Sequence, residues 1–189
     1  GVTSALGVSI AAKDTSIISA ELLSASLAVA PIGVAVGLAL TENNIANNVS
    51  AYINSSAVTA NNGGISVTAL FQPSITTNGR VAAISASLGI AGAGAESKTV
   101  VDGNTQAYVN TSALSAPYGD VSVTATTVSS ATPVFSSLSG GVVAVAILNP
   151  VAQVKGTTTT YVSGGSTIQG RNINIKATSS GTADVTLTR

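Results

Sequence analysis

Short segments in which β-branched residues alternate with Ser or Thr recur along the chain. In the clearest example, Val121 and Val123 alternate with Ser122 and Thr124. Successive side chains of a β-strand point to opposite faces, so this alternation predicts a strand with one buried face. The pattern occurs four times, and its separations of 57, 56 and 52 residues indicate a repeat. The central residues of the four strands are Ile10, Val67, Val123 and Ile175.

A second marker has a similar spacing. Tyr52, Tyr108 and Tyr161 each precede Ile or Val, and they are 56 and 53 residues apart. Two independent markers with one spacing predict a single repetitive domain over the whole chain, residues 1–189. The expected units are approximately residues 8–64, 65–120 and 121–177, with 178–189 the start of a further unit.

Each unit also contains a long stretch of small and apolar residues, at 25–40, 81–95 and 138–151. Residues 22–40 resemble a membrane-spanning helix, for which roughly 20 apolar residues suffice. Pro31 and the closely spaced glycines of the second stretch disfavour helix, since each Gly costs about 1 kcal/mol relative to Ala. We therefore expect strands in all three stretches and no transmembrane span.

The apolar stretches lack polar alternation, which is typical of strands covered on both faces. In residues 34–40, Val and Leu alternate with Ala and Gly. We expect the large side chains to point into the interior, and the small ones to make a tight outer contact with another layer. The large residues are Val34, Val36, Leu38 and Leu40.

Polar turns separate the strands of each unit. Two of them are residues 61–64 (Asn-Asn-Gly-Gly) and residues 117–120 (Pro-Tyr-Gly-Asp). Gly adopts positive φ without steric cost, so we expect the glycines to supply the left-handed conformations of sharp corners.

A unit of this length with several strands and no helix cannot bury its apolar face alone, so we expect the units to stack. The predicted fold class is all-β, a parallel β-solenoid of three units of about 55 residues, with equivalent residues roughly 4.8 Å apart. One wide coil per unit is the preferred interpretation, and several narrow coils per unit remain open. Antiparallel β-sandwich repeats are the structural alternative.

Stacking would arrange the recurring residues in ladders. Tyr52, Tyr108 and Tyr161 would form an aromatic ladder, which we place by default in the core. Asn54 and Asn110 would form a polar ladder, because stacked amides satisfy each other's donors and acceptors.

The composition limits the chemistry that the chain can perform. Charged residues make up 7% of the chain, with seven acidic and seven basic residues, and Cys and His are absent. Nucleic-acid binding requires a basic stripe that this sequence lacks, so we expect no nucleic-acid partner. Without His or Cys, catalytic triads, thiol nucleophiles and most transition-metal sites are excluded.

The remaining candidates for chemistry are weak. Residues 102–104 (Asp-Gly-Asn) come nearest to a calcium-binding turn, but their counterparts in the other units lack acids, so a simple turn is expected. Residues 89–95 lack the Lys-Ser/Thr of a phosphate-binding loop and are interpreted as a strand. The Thr run at 157–160, which raises an ice- or sugar-binding face, occurs in one unit only.

Glycan cleavage would require clustered carboxylates, and the acids fall at different places in the repeat. We therefore expect no enzyme, no cofactor, and no catalytic, cofactor-binding or metal-binding residues. The acids are Asp14, Glu21, Glu42, Glu96, Asp102, Asp120 and Asp184.

Two motifs carry a resemblance to a known family: residues 104–109 (Asn-Thr-Gln-Ala-Tyr-Val) and residues 119–125 (Gly-Asp-Val-Ser-Val-Thr-Ala). They resemble the repeat region of giant secreted bacterial filamentous adhesins, namely the filamentous-haemagglutinin-like and leukotoxin-like surface proteins. The first unit matches at residues 48–53, whereas the third departs at Thr160 and Asn172. The resemblance implies an extracellular or cell-surface β-solenoid with a stalk or adhesive role.

Two functions follow as expectations. The first is a structural, non-catalytic segment of a surface fibre or stalk, whose partner is another copy or the adjacent repeats of a longer chain. The chain begins and ends at the same phase of the repeat, so we expect head-to-tail or lateral association into filaments or a long array. The alternative is an adhesin module that binds glycans or a host surface through one face.

Overall fold

The computed structural model describes residues 1–86 and 88–188, and these residues form fourteen β-strands without a helix. This confirms the all-β prediction. The strands are β1 (Val2–Ser4), β2 (Val8–Asp14), β3 (Ile17–Ala28), β4 (Val34–Asn54), β5 (Ala57–Ala60), β6 (Ile65–Phe71), β7 (Ser74–Ser85), β8 (Ile90–Asn110), β9 (Ala113–Ala116), β10 (Val121–Gly140), β11 (Val143–Ser163), β12 (Thr167–Gly170), β13 (Ile173–Ala183) and β14 (Thr186–Thr188).

Every strand pairs in parallel with its equivalent in the next unit. The first sheet has the order β1-β5-β9-β12, and the third has the order β4-β8-β11. In the second sheet, β10 pairs with both β6 and β7 on one side, and with β13 and β14 on the other. Among the described residues all strand pairs are parallel, so the antiparallel alternative is wrong.

Each unit passes once through the three sheets and forms one layer of the stack. We number the layers 1 to 4, with residues 1–54 in layer 1, 55–110 in layer 2, 111–163 in layer 3, and the remainder in an incomplete layer 4. One unit therefore makes one wide turn, and several narrow turns per unit are not formed in the described part of the chain.

The pairing register follows the sequence repeat. Val8 pairs with Ile65, Ile65 pairs with Val121, and Val121 pairs with Ile173. The first two units therefore begin where the sequence placed them. The third unit is shorter than expected, because Ile173 and not residue 178 starts the next repeat of this strand.

The four marker residues of the alternating strand share one register. Ile10 pairs with Val67, Val67 with Val123, and Val123 with Ile175. Val67 and Val123 are fully buried, Ile10 is partly buried, and Ile175 is 45% exposed. The difference arises because layers 2 and 3 have neighbours on both sides, whereas the outer layers have a neighbour on one side only.

Two hydrophobic clusters fill the interior. The larger one lies between the three sheets and is rich in Ile and Val. The smaller one lies between the ends of the second and third sheets and consists mainly of Ala, so these two sheets approach closely there. The smaller cluster contains Ala35, Ala39, Val81, Ala83, Ala91, Ala93, Ala95 and Phe135.

The corners depend on glycine for a reason other than the expected one. No residue of the turns at 61–64 and 117–120 has a left-handed φ, so that expectation is wrong. A β-carbon on Gly63 would instead lie 2.6 Å from the backbone nitrogen of Gly7 in the adjacent layer. The left-handed conformation occurs at a different corner, at Ser55 and Thr111, where φ is 49° in both.

Candidate functional site

The most unusual surface is a thin extension of each layer, which we call the fin. It comprises residues 22–40, 81–86, 88–95 and 137–148, where the second and third sheets lie back to back. Small residues line its inside, and a β-carbon on Gly37 would lie 2.8 Å from the carbonyl oxygen of Ala82. The two sheets of the fin are therefore too close to enclose large side chains.

The large aliphatic residues of the fin point outward. Val34, Leu38 and Leu40 are 67%, 68% and 73% exposed, whereas Ala35 between them is 1% exposed. The expectation that the large residues face the interior is therefore wrong, and so is the expected outer cover, since no other described layer lies over them. The alternation was correctly recognised, but its inner and outer faces were exchanged.

The fin carries no charged residue in any of its four ranges. Exposed aliphatic side chains cover both of its flat sides and its tip. Contiguous apolar surface of this kind marks an interaction site far more often than a solvated face. The exposed residues are Leu23, Leu27, Val29, Ile32, Val34, Val36, Leu38, Leu40, Ile84, Leu88, Ile90, Leu138, Val142, Val143, Val145 and Ile147.

The three tyrosines lie in register at the far end of the third sheet. The ring centroids of Tyr52 and Tyr108 are 5.0 Å apart, and those of Tyr108 and Tyr161 are 4.9 Å apart, with interplanar angles of 6° and 2°. Tyr52 is 51% exposed and Tyr161 is 37% exposed, so the stack stands on the outside and not in the core. The default placement in the core was wrong, because tyrosine falls on the outward-facing positions of these strands.

The stack changes the acidity of its central member. Desolvation between the neighbouring rings, followed by the charges that Tyr161 and Tyr52 would carry when ionised, raises the pKa of Tyr108 above its usual value. The protonated phenol is thus the form that fits the stack.

Amide side chains form two ladders beside the tyrosines. Asn110 Nδ2 donates to Asn54 Oδ1 at 2.9 Å, and Ser163 Oγ donates to Asn110 Oδ1 at 2.9 Å. Asn104 Nδ2 donates in the same way to Asn48 Oδ1 at 3.0 Å. Sequence analysis missed this second ladder, although the recurrence of Asn after 56 residues was the signal that would have identified it.

Hydroxyl groups bridge opposite sheets in the interior. Thr127 Oγ1 of β10 donates to Thr105 Oγ1 of β8 at 2.7 Å, and Thr158 Oγ1 of β11 donates to Thr127 Oγ1 at 2.7 Å. Thr77 and Thr99 make a similar buried contact at 3.3 Å. These contacts satisfy polar groups that would otherwise be costly to bury.

The acidic residues are separated or paired with bases. Glu42 Oε1 accepts from Lys98 Nζ at 2.7 Å between two exposed side chains. Asp120 Oδ1 accepts from Arg171 Nε at 3.1 Å and from Asn172 Nδ2 at 3.0 Å, and these two contacts, with Arg171 first, lower the pKa of Asp120.

Asp14 also serves a structural contact. It accepts from the backbone N–H and the hydroxyl of Ser16 and, at 2.6 Å, from Asn47 Nδ2. The hydrogen bond from the Ser16 hydroxyl is the main cause that lowers the pKa of Asp14. Throughout the described residues, no group of three or more acids is arranged to hold a metal ion.

The weak motifs lie within strands. Asp102 and Asn104 are exposed on β8, while Gly103 faces inward, where a β-carbon would overlap the ring of Phe71. The expected simple turn at this place is therefore wrong. Residues 90–95 belong to β8, in agreement with the interpretation as a strand, and the Thr run at 157–160 belongs to β11.

No family model matches the chain, and neither a curated protein nor a solved structure shows significant similarity to it. Within the described ranges, no helix is long and apolar enough to span a membrane. Residues 22–40, which resembled such a helix, lie in β3, β4 and the turn between them.

Proposed function

We propose that this chain is a segment of a parallel β-solenoid that serves as a structural, non-catalytic part of a bacterial extracellular fibre or stalk. The observation that carries the proposal is the in-register stacking of equivalent residues. Tyr52, Tyr108 and Tyr161 are consecutive Cα partners, although 56 and 53 residues of chain separate them. A stack of this kind grows by adding identical layers, which is what an elongated support requires.

The chemistry of the surface agrees with a structural role. The acids are dispersed or paired, and the polar side chains of the ladders are engaged with one another. The resemblance of residues 104–109 and 119–125 to filamentous adhesins supports an extracellular location and an association with other copies or with adjacent repeats.

Electron cryo-microscopy of the purified chain at several concentrations tests this proposal. Filaments with a spacing near 4.8 Å along their axis are the expected result. Dispersed particles at every concentration would contradict self-assembly by this segment. A variant in which Val123 and Val67 are replaced by Asp would serve as the unfolded control, since both residues are fully buried.

Glycan binding is the second candidate, and the exposed tyrosine stack favours it. Sugars pack on aromatic faces, but both faces of Tyr108 are covered by its neighbours. A glycan would therefore reach ring edges, hydroxyl groups and the outer faces of the terminal rings. Retention on immobilised glycans that is lost in Tyr52→Ala would support this candidate, whereas absence of retention would leave the structural role.

A further inference from the structure

One side of the fin has a knob and a hole in adjacent layers. On the outer face of β4, β8 and β11, the layer 1 residue Val36 pairs with Gly92 of layer 2, which pairs with Val145 of layer 3. Val36 is 55% exposed and Val145 is 48% exposed. A β-carbon on Gly92 would meet no atom within 4 Å, so an open hole lies between the two valines.

The hole is bounded along the strand as well. Ile90, which is 51% exposed, stands at one end. At the other end, Leu38 leans over Gly94, where a β-carbon would lie 2.9 Å from Leu38 Cδ2. The hole above Gly92 therefore has an aliphatic wall on four sides and a size suited to one small aliphatic side chain.

We propose that this side of the fin binds the same side of a second copy of the chain. A two-fold axis that runs parallel to the strands, between layers 1 and 2, exchanges the two layers and preserves the position along the strand. Val36 and Gly92 are register partners, so this axis seats Val36 of each copy over Gly92 of the other. The interface is isologous, and the stacking directions of the two copies are antiparallel.

The chemistry of the fin favours a protein copy over a lipid bilayer. A fluid bilayer has no use for a fixed hole, and lipid-facing surfaces commonly carry Trp or Tyr at the interface, which the fin lacks. The charged residues at the base of the fin include three acids and two bases, so they do not attract an anionic membrane surface. They are Glu21, Glu42, Glu96, Arg80 and Lys98.

The size of the contact predicts a weak dimer. Seven residues per strand and three layers give this side of the fin a projected area of roughly 300 Å². A standard stable interface buries about 800 Å² per partner. Association of this chain should therefore be concentration-dependent, with a dissociation constant in the upper micromolar range.

This inference deepens the lateral self-association within the proposed function, and it rests on that function only for its biological meaning. Its failure is distinguishable from failure of the fibre proposal. The fin interface forms discrete dimers in solution, whereas the fibre grows by adding layers along the stacking direction.

Sedimentation equilibrium of the purified chain over a wide concentration range tests the interface. Gly92→Val fills the hole without a clash inside its own chain and should raise the dimer dissociation constant at least about tenfold. The exchange variant Val36→Gly/Gly92→Val moves the knob to layer 2 and the hole to layer 1. Because the two-fold axis pairs these layers, the exchange variant should recover much of the association. Circular dichroism of each variant verifies that the strands are retained.

Leu27→Ser is the matched control, because Leu27 is an exposed aliphatic residue on the opposite side of the fin. It should leave the dissociation constant unchanged. A wild-type chain that stays monomeric up to its solubility limit would overturn the proposal, and flotation of that monomer with phosphatidylcholine vesicles would assign the fin to lipid. Dimers that respond to Leu27→Ser and not to Gly92→Val, or an exchange variant that gains nothing over Gly92→Val, would overturn it as well.

Discussion

The ring of Phe135 occupies the space in which a side chain on Gly79 would lie. The two residues are Cα partners in adjacent layers, and a β-carbon on Gly79 would overlap the ring atoms Cε1 and Cδ1 of Phe135. Phe135 is fully buried and is the one aromatic residue of the smaller cluster. A large side chain in one layer is thus accommodated by the absence of a side chain in the next.

Gly79→Ala should lower the free energy of unfolding by about 1–3 kcal/mol, because the added methyl group displaces the Phe135 ring from a packed interior. Urea denaturation measures the change. Gly140→Ala is the matched control in the same sheet, since a β-carbon there would meet only Ile84 Cγ2 at 4.0 Å. Equal effects of the two substitutions would contradict the packing of Phe135 over Gly79.

Tyr108→Ala should destabilise the chain more than Tyr118→Ala. Tyr108 stacks on two rings, and each aromatic contact contributes about 0.5–1.5 kcal/mol beyond the area that it buries. Tyr118 is 75% exposed and belongs to neither stacked pair. Thermal unfolding followed by circular dichroism compares the two variants, and similar melting temperatures would show that the stack adds no stability.

The stack should also make stability depend on alkaline pH. The pKa of Tyr108 is raised in the folded chain, so its stabilising effect is complete below the unfolded value and is lost as pH rises through the folded value. Urea midpoints measured from about pH 9 to about pH 11 should fall in the wild type. In Tyr108→Phe, which keeps a ring but has no ionisable proton, the midpoints should fall less. An equal fall in both proteins would place the effect elsewhere.

Gly164→Ala should be strongly destabilising, whereas Thr111→Gly should be neutral or stabilising. Gly164 has φ of 65°, and its β-carbon would overlap Asn110 Oδ1 and Thr111 Oγ1 of the layer below. Thr111 already adopts φ of 49°, which is unfavourable for a β-branched residue. Gly relieves that strain but adds unfolded-state entropy, so the two effects of Thr111→Gly oppose each other. Chemical denaturation of both variants tests the prediction, which a destabilising Thr111→Gly would contradict.

The parallel pairing of the units could be predicted because the sequence repeat and the register are the same quantity. Tyr52 and Tyr108 are 56 residues apart, and every strand pair between layers 1 and 2 has an offset of 56 or 57 residues. Where the third unit shortens, the offset shortens with it, as Val123 and Ile175 show. Like residues recur because they are neighbours in the stack.

The direction of the fin side chains could not be predicted in this way. Alternation shows that Val34 and Val36 share a face, but it does not show which face is the inner one when both faces are apolar. The decision depends on the distance between two sheets, which Gly37 sets through its close approach to Ala82. That contact joins residues 45 positions apart in sequence and leaves no periodic signal. The same holds for Gly79 and Phe135, whose contact exchanges size between layers.

The orientation of the backbone hydrogen bonds has a mechanical consequence. In parallel sheets these bonds lie across the strands, and here they connect one layer to the next, along the stacking direction. A tensile force between the two chain ends therefore acts on the outermost layer, whose bonds open one after another. Each layer released adds about 56 residues, or roughly 190 Å, of extended chain. Under load the chain should lengthen in uniform steps while the layers beneath keep their structure.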